Sequence, residues 1–169
     1  MPKKLPNAKV YIDGANMFYA QQKMGWFIDW QKVKSLLGKQ YKIIGINCYT
    51  GIKKGDLGGQ KFNNKLKSYG FKIIAKPLKK ILLSKNNFIF KANFDVEIAV
   101  DLILEKDEFD YALLFSGDSD FDYVVKKLHK FDKKIFIYCS RRTLSNELRI
   151  VADKCYLFGE LRTDIEYKK

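Results

Sequence analysis

The chain has 169 residues, enough for one domain with a full hydrophobic core, and its 32 lysines and arginines against 19 acids give a net charge of +13. This surplus favours a polyanionic partner, usually nucleic acid, although a lysine-rich composition is also what an AT-rich genome encodes. No apolar run approaches the roughly 18 residues of a membrane span, and the start lacks an apolar signal region, so we expect a cytoplasmic protein with no membrane partner.

Two classes of chemistry are not expected from the cysteine and histidine content. Cys48, Cys139 and Cys155 are far apart in sequence and form no CxxC pair, which argues against a zinc site and a disulfide framework. The single histidine, His129, lies among lysines on a predicted solvated helix face. Ser/His/Asp and Cys/His catalysis therefore lack their usual base.

Apolar runs alternate with helical patterns along the first half of the chain. A Gly- and Lys-rich loop at 51–61 does not fit the phosphate-binding pattern GxxxxGK[ST], so we interpret it as a mobile loop near the site. The predicted elements are a strand at 9–12, a helix at 17–23, a helix capped by Asp29, a strand at 43–49, a helix at 61–69 and a strand at 71–75.

Residues 76–91 alternate lysines with apolar side chains about Asn86 and Asn87, which predicts a basic β-hairpin. Two interpretations stay open. The hairpin is either an arm for a nucleic-acid backbone or a sheet edge protected by lysines.

The helix after the hairpin begins with Asn93 as its cap and carries Asp95 in its first turn. It is apolar almost all round, so we expect deep burial; Glu97, Asp101 and Glu105 form one polar column. Asp95 either points into a crevice or only stabilises the helix dipole.

The second half continues the alternation of strands and helices, which indicates a parallel sheet covered on both faces. We expect the tail from Thr163 to be frayed. The predicted elements are a strand at 111–115, a helix that starts with acids, a strand at 134–138, a basic turn at 140–143, a helix at 144–152 and a strand at 156–158.

Acidic residues follow two of the predicted strands directly. Asp13 ends the first strand, and Asp118, Asp120 and Asp122 come after the apolar run that ends at Phe115. If these strands are neighbours in a parallel sheet, their acids face one crevice at its carboxyl edge, where α/β proteins bind ligands. The alternative is that Ser119 and Asp122 form a capping box and the acids only complement the helix dipole.

Three segments, IDGAN at 12–16, NFDVEIAVD at 93–101 and SGDSDF at 116–121, together resemble the NYN domain of LabA-like proteins in the PIN-like nuclease superfamily. The resemblance runs over about 9–158. It implies an α/β protein, a three-layer α/β/α sandwich with a mainly parallel sheet, as one domain over 1–169 with short tails. It also implies metal-dependent RNA cleavage. Its core acids match Asp13, Asp95 and Asp118, Asp120 completes the SGDSDF motif as a further candidate catalytic and metal-binding acid, and Asn16 matches the polar partner beside the first acid. Related nucleases use an acid at the position of Asp122, which leaves the fourth carboxylate open.

The acids also point to a metal without the resemblance, because hard oxygen ligands with no His or Cys suit Mg²⁺ or Mn²⁺. Our hypothesis is that Asp13, Asp95 and Asp118 hold one or two such ions for phosphodiester hydrolysis, with Asp120 or Asp122 assisting. RNA is preferred over DNA only through the resemblance.

Candidate nucleic-acid contacts are cationic and aromatic. Trp26 or Phe27 is a candidate for stacking a base, although ordinary core or surface roles also fit both. The basic candidates are Lys53, Lys54, Lys91, Arg141 and Arg142.

Two rival functions stay open. The first is a catalytically silent RNA-binding module, and the second is a small-molecule phosphatase with an aspartyl nucleophile. Whether the protein is a homodimer is also left open by the sequence.

Overall fold

The computed structural model describes residues 3–169. The strands are β1 (Asn7–Asp13), β2 (Lys42–Ile52), β3 (Lys72–Pro77), β4 (Lys79–Ser84), β5 (Asn87–Lys91), β6 (Tyr111–Phe115), β7 (Lys134–Cys139) and β8 (Lys154–Leu157). The helices are α1 (Gly14–Met24), α2 (Trp30–Gly38), α3 (Leu57–Ser68), α4 (Asp95–Leu104), α5 (Asp122–His129), α6 (Asn146–Val151) and α7 (Phe158–Ile165).

Six strands form one sheet in the order β3-β2-β1-β6-β7-β8, and all its pairings are parallel. From β1 the chain adds β2 and β3 on one side, and later β6, β7 and β8 on the other. The strand order therefore reverses between β1 and β6, where Ile12 lies opposite Phe115. Such a switch point opens a crevice at the carboxyl ends of the strands.

Apolar side chains on the two faces of the sheet form two separate cores. One contains Val10 and Ile12 with residues of α1, α2, α3 and α7. The other contains Tyr11 and Leu114 with residues of α4, α5 and α6. The predicted three-layer α/β/α sandwich is confirmed, and none of its helices within residues 3–169 is long and apolar enough to cross a membrane.

Helix α3 begins earlier than the pattern predicted. Asp56 accepts a hydrogen bond of 3.0 Å from the Gly59 N–H and so caps a helix that starts at Leu57 rather than Lys61. The loop before it is correspondingly shorter than the predicted 51–61, because β2 also continues to Ile52. The sequence pattern did not predict this start because Gly58 and Gly59 in the first turn have low helix propensity.

Helix α4 is not deeply buried all round, contrary to the prediction. Ile98 and Leu102 are fully buried, but Val96 and Leu104 are 74% and 76% exposed. The helix belongs to an outer layer, so only one face contacts the sheet. Composition alone did not show which apolar face would be covered.

The polar column of α4 contacts the rest of the domain. The Tyr49 hydroxyl donates a hydrogen bond of 2.6 Å to Asp101, and the Tyr11 hydroxyl donates one of 2.6 Å to Glu105. These bonds satisfy the polar groups of two tyrosines that are buried in the sheet.

The prediction of a frayed tail from Thr163 is wrong. Residues 158–165 form α7, in which Phe158 and Ile165 are buried in the same core as α2. Beyond the helix, the Tyr167 N–H donates to the Phe27 carbonyl over 2.9 Å. The tail is held because its apolar residues cover the edge of that core.

The predicted basic hairpin is present as β4 and β5, which pair antiparallel around a turn at residues 85–86. It forms its own two-stranded sheet, whereas the outer strands of the main sheet are β3 and β8. The hairpin is therefore not a protected edge of the main sheet.

Candidate functional site

Asp13 lies at the end of β1 and caps α1, with only 7% of its surface exposed. Its Oδ1 accepts a hydrogen bond of 3.2 Å from the Asn16 N–H, and its Oδ2 accepts one of 3.0 Å from the Ser116 hydroxyl. The side chain is thus fixed between the ends of the two strands at the switch point.

The loop after β6 is held against α1 by a second set of bonds. Asn16 Oδ1 accepts a hydrogen bond of 3.2 Å from the Gly117 N–H, and Ser116 Oγ accepts one of 3.3 Å from the Asp118 N–H. Gly117 itself packs so closely on the chain at Thr143 that a Cβ there would overlap the Thr143 carbonyl. These contacts explain why Gly occupies this position.

Asp118 caps the short 3₁₀ turn Ser119–Phe121 by accepting a hydrogen bond of 3.0 Å from the Asp120 N–H. Ser119, expected as the cap in the alternative interpretation, lies inside the turn instead. The bond from the Asp120 N–H holds Asp118 and Asp120 on one loop, and Asp118 is close enough to Asp13 for their charges to interact.

Asp95 reaches the same place from the opposite side, at the first residue of α4. Its N–H donates a hydrogen bond of 2.8 Å to Asn93 Oδ1 just before the helix. The N-cap position itself is occupied by Phe94, which makes no side-chain cap hydrogen bond, so the prediction of Asn93 as the cap is wrong by one residue. Carboxylate oxygens of Asp95, Asp118 and Asp120 all lie within 4.8 Å of one another. Three predicted site acids are therefore brought together by two separate segments.

Burial and the charges of neighbouring acids raise the pKa of Asp13 and of Asp95. Burial raises the pKa of Asp13 to about 6, with the charges of Asp95 and Asp118 adding to the rise and the bonds from Asn16 and Ser116 opposing it. Burial, with the charges of Asp118 and Asp120, also raises the pKa of Asp95. A bound cation would relieve this repulsion.

Asp13 and Asp122 differ from the three-acid group. Asp13 is not part of that group, and two hydrogen bonds already engage its carboxylate. Asp122 forms an ion pair of 2.8 Å with Lys126 on α5. Asp120, not Asp122, is thus the acid that the structure places next to Asp95 and Asp118.

The donor set fits a hard divalent cation. Asp95, Asp118 and Asp120 offer only carboxylate oxygens, the ligands that Mg²⁺ and Mn²⁺ favour. Asp95 and Asp118 are half-buried and Asp120 is exposed, which leaves the site open to solvent and to a substrate.

The predicted basic residues are all exposed, and two of them contact other segments. Arg142 donates a hydrogen bond of 3.0 Å from Nη1 to the Lys23 carbonyl at the end of α1. Lys53 lies over the ring of Phe90 on the hairpin, 4.5 Å from its centroid. The remaining three are Lys54, Lys91 and Arg141.

The two aromatic candidates differ in exposure. Trp26 is buried in the core with Arg162 above its ring, so the prediction that it stacks on a base is wrong. Phe27 is 66% exposed.

Ser116 is the site residue that the sequence analysis missed. It is fully buried at the end of β6, donates to Asp13 and accepts from Asp118, so it links two candidate acids. The available signal was its place at the start of the SGDSDF motif, where a buried serine needs hydrogen-bond partners.

Comparison with known proteins identifies the family and the fold. The NYN domain model matches residues 7–159. The chain is 34% identical over 162 residues, 93% of this chain and 86% of its relative, to the low amplitude and bright protein LabA of Synechococcus elongatus (strain ATCC 33912 / PCC 7942 / FACHB-805).

Among solved structures, the fold is similar to that of a protein of unknown function from Vibrio parahaemolyticus RIMD 2210633. The TM-score is 0.81, the identity is 21%, and 99% of each chain is covered. This likeness shows the fold alone. Together with the LabA relative and the matched domain model, the motifs and fold establish that the chain belongs to the NYN domain family, a PIN-like nuclease family.

Proposed function

We propose that this protein is a metal-dependent ribonuclease that hydrolyses RNA phosphodiester bonds in the cytoplasm. The observation that carries the proposal is the group formed by Asp95, Asp118 and Asp120, whose carboxylate oxygens lie within 4.8 Å of one another at the switch point of the sheet. Membership of a nuclease family supports the same reaction class.

The three acids would hold one or two Mg²⁺ or Mn²⁺ ions. A divalent ion in such a site supplies activation of water and stabilisation of the charge that develops on the phosphate. In this proposal Asp13 would complete the set or orient water. It is buried, which raises its pKa, and the charges of Asp95 and Asp118 add to the rise.

Asn16 has a separate role in the proposal. Its Oδ1 accepts from the Gly117 N–H, so its Nδ2 amide is the group left to donate to a phosphate oxygen or a water. This arrangement also holds the loop that carries Asp118 against the start of α1.

RNA binding is proposed from charge. Lys53, Lys54, Lys91, Arg141 and Arg142 are exposed lysines and arginines suited to phosphate contacts. With 28 of the 32 basic residues being lysines, we expect binding directed at the backbone rather than at base edges.

The test is cleavage of a labelled structured RNA and a matching single-stranded DNA in Mn²⁺, in Mg²⁺ and in EDTA. We expect the wild type to cut RNA only with a metal, and Asp118→Asn and Asp13→Asn to lose cutting. Asp164→Asn, which removes the same charge from the exposed face of α7, is the matched control and should cut normally.

Two results would contradict the proposal. RNA binding with no cutting in any metal favours a silent RNA-binding module of the same fold. Release of phosphate from a generic monoester without cutting of RNA favours a small-molecule phosphatase.

A further inference from the structure

The β4–β5 hairpin rises from the same edge of the sheet as the acid group. It leaves the carboxyl end of β3 and returns within four residues of Asp95, from Lys91. Its base is fixed, because the Leu78 N–H donates to the Ile52 carbonyl over 2.9 Å and Leu78 packs on Gly51 at the end of β2. Whatever the hairpin binds is therefore held next to the candidate site.

The hairpin is unusually exposed for its composition. All eleven residues of its two strands are exposed, including Leu82 at 70%. A two-stranded hairpin with no further strand or helix over it is only marginally stable alone. Retaining large apolar side chains on such an exposed element is typical of a binding surface.

Charge indicates what this surface binds. Residues 76–94 contain five lysines and no acid. A second copy of this chain would bring the same positive charge to the contact, which opposes self-association through the hairpin. A polyanion complements it.

One face of the hairpin combines aromatic rings with cations. Phe88 and Phe90 pack edge to face with centroids 5.6 Å apart. Lys80 lies 3.9 Å above the Phe88 ring, and Lys53 lies 4.5 Å above that of Phe90. The register places Lys80 opposite Phe90 and Leu82 opposite Phe88, so these groups share a face.

We propose that this hairpin is an arm that holds single-stranded RNA, with Phe88 and Phe90 stacking on bases and Lys53 and Lys80 contacting phosphates. Stacking on exposed rings requires bases that are unpaired, so the substrate class is single-stranded RNA or a loop rather than a duplex. The inference rests on the proposed ribonuclease function, because it assigns the substrate of the same site.

The experiment measures binding in EDTA, where metal-dependent cutting is stopped. The probes are a fluorescein-labelled single-stranded oligouridylate of about 12 nucleotides and an RNA duplex of equal length. We expect the F88A/F90A variant to bind the single strand at least about tenfold more weakly and the duplex with little change.

Phe131→Ala is the matched aromatic control. Phe131 is 48% exposed, close to the 44% and 42% of the two hairpin rings, and Lys106 lies over it at 4.9 Å. It lies between α5 and β7, away from the hairpin, so we expect unchanged binding of the single strand.

The K53A/K80A variant tests the phosphate contacts. The slope of log affinity against log salt should fall by about 1.4, since each contact to a single strand contributes about 0.7. K39A/K42A, two exposed lysines just before and at the start of β2, is the control and should keep the wild-type slope. Thermal unfolding of all variants checks that they fold.

Several results would contradict the proposal that the hairpin is an RNA-binding arm. One is equal loss of affinity in hairpin and control variants. A second is a wild-type dimer that F88A/F90A converts to monomer with RNA binding unchanged. A third is hairpin-dependent binding to phosphatidylserine vesicles without hairpin-dependent RNA binding. If the wild type cuts RNA and the hairpin variants are fully active, the proposed arm is wrong and the proposed ribonuclease function stands. If RNA binding depends on the hairpin but no RNA is cut, the ribonuclease function is wrong and the arm stands.

Discussion

The hydroxyl of Ser116 donates a hydrogen bond of 3.0 Å to Oδ2 of Asp13, joining the ends of β6 and β1 at the point where the strand order reverses. The bond stabilises the ionised form of a carboxylate that burial otherwise disfavours. Ser116 therefore favours the charged form of Asp13, which is the form that the proposed metal site requires.

Ser116→Ala should raise the pKa of Asp13 above its value of about 6, because one of the two bonds that oppose the rise is lost. The pH at which Mn²⁺ binding or RNA cleavage reaches half its maximum should shift upward with it. Calorimetric Mn²⁺ titrations between about pH 5 and 8 measure this, with Ser68→Ala on the exposed face of α3 as control. An unshifted midpoint would show that the bond does not control the site.

Asp13→Asn should stabilise the metal-free protein above pH 6 by about 1–3 kcal/mol. The folded pKa of about 6 exceeds the ordinary 3.8, so the contribution of Asp13 to stability is complete below about 3.8 and is lost as the pH rises through 6. Replacing the charge should remove this loss. Denaturant unfolding of wild type and variant in EDTA at several pH values tests it, and a stability difference that does not grow with pH would contradict the expectation.

Gly117→Ala should destabilise the fold by about 1–3 kcal/mol and impair the site, because its Cβ would overlap the Thr143 carbonyl and push the loop that carries Asp118. Gly159→Ala is the contrast, since a Cβ there meets no atom within 4 Å and α7 should gain a few tenths to about 1 kcal/mol. Melting temperatures of the two variants should move in opposite directions. An unchanged or raised melting temperature of Gly117→Ala would show that the loop yields to the added methyl.

The sequence could predict the layout of the site because a simple geometric rule applied. Asp13 and Asp118 each follow a buried run, and the carboxyl ends of parallel strands meet at one edge. Asp95 follows from its place at a helix start preceded by Asn93. These positions depend on local periodicity and capping, which a single sequence records.

Other features depend on which surfaces meet, and the sequence does not record that. The exposure of Val96 and Leu104 on α4, and the burial of Ile165 in α7, follow from where each helix packs on the sheet. Asp120 and Asp122 are two residues apart in sequence, and only the structure shows that Asp120 lies with Asp95 and Asp118 whereas Asp122 pairs with Lys126. Ser116 could be identified as a site residue only from its hydrogen bond to Asp13 on the neighbouring strand.

Asp153 lies away from the site, and its contribution to stability should depend on pH in the opposite direction to that of Asp13. Its carboxylate accepts hydrogen bonds of 2.8 Å from the Ile135 N–H and 2.8 Å from His129, and so connects the start of β8 to β7 and α5. Burial alone would raise the pKa of Asp153, but these bonds and the charge of Lys134 hold it below 3.8.

The stability that Asp153 contributes is therefore present above pH 3.8 and is lost as the pH falls through its lower folded pKa. Asp153→Asn should cost about 1–2 kcal/mol at pH 7 and progressively less as the pH falls below the ordinary aspartate pKa, measured by denaturant unfolding. Asp164→Asn, an exposed acid on α7, should change stability little at either pH. A cost for Asp153→Asn that persists unchanged into acid would mean that the side chain acts through packing rather than through its charge.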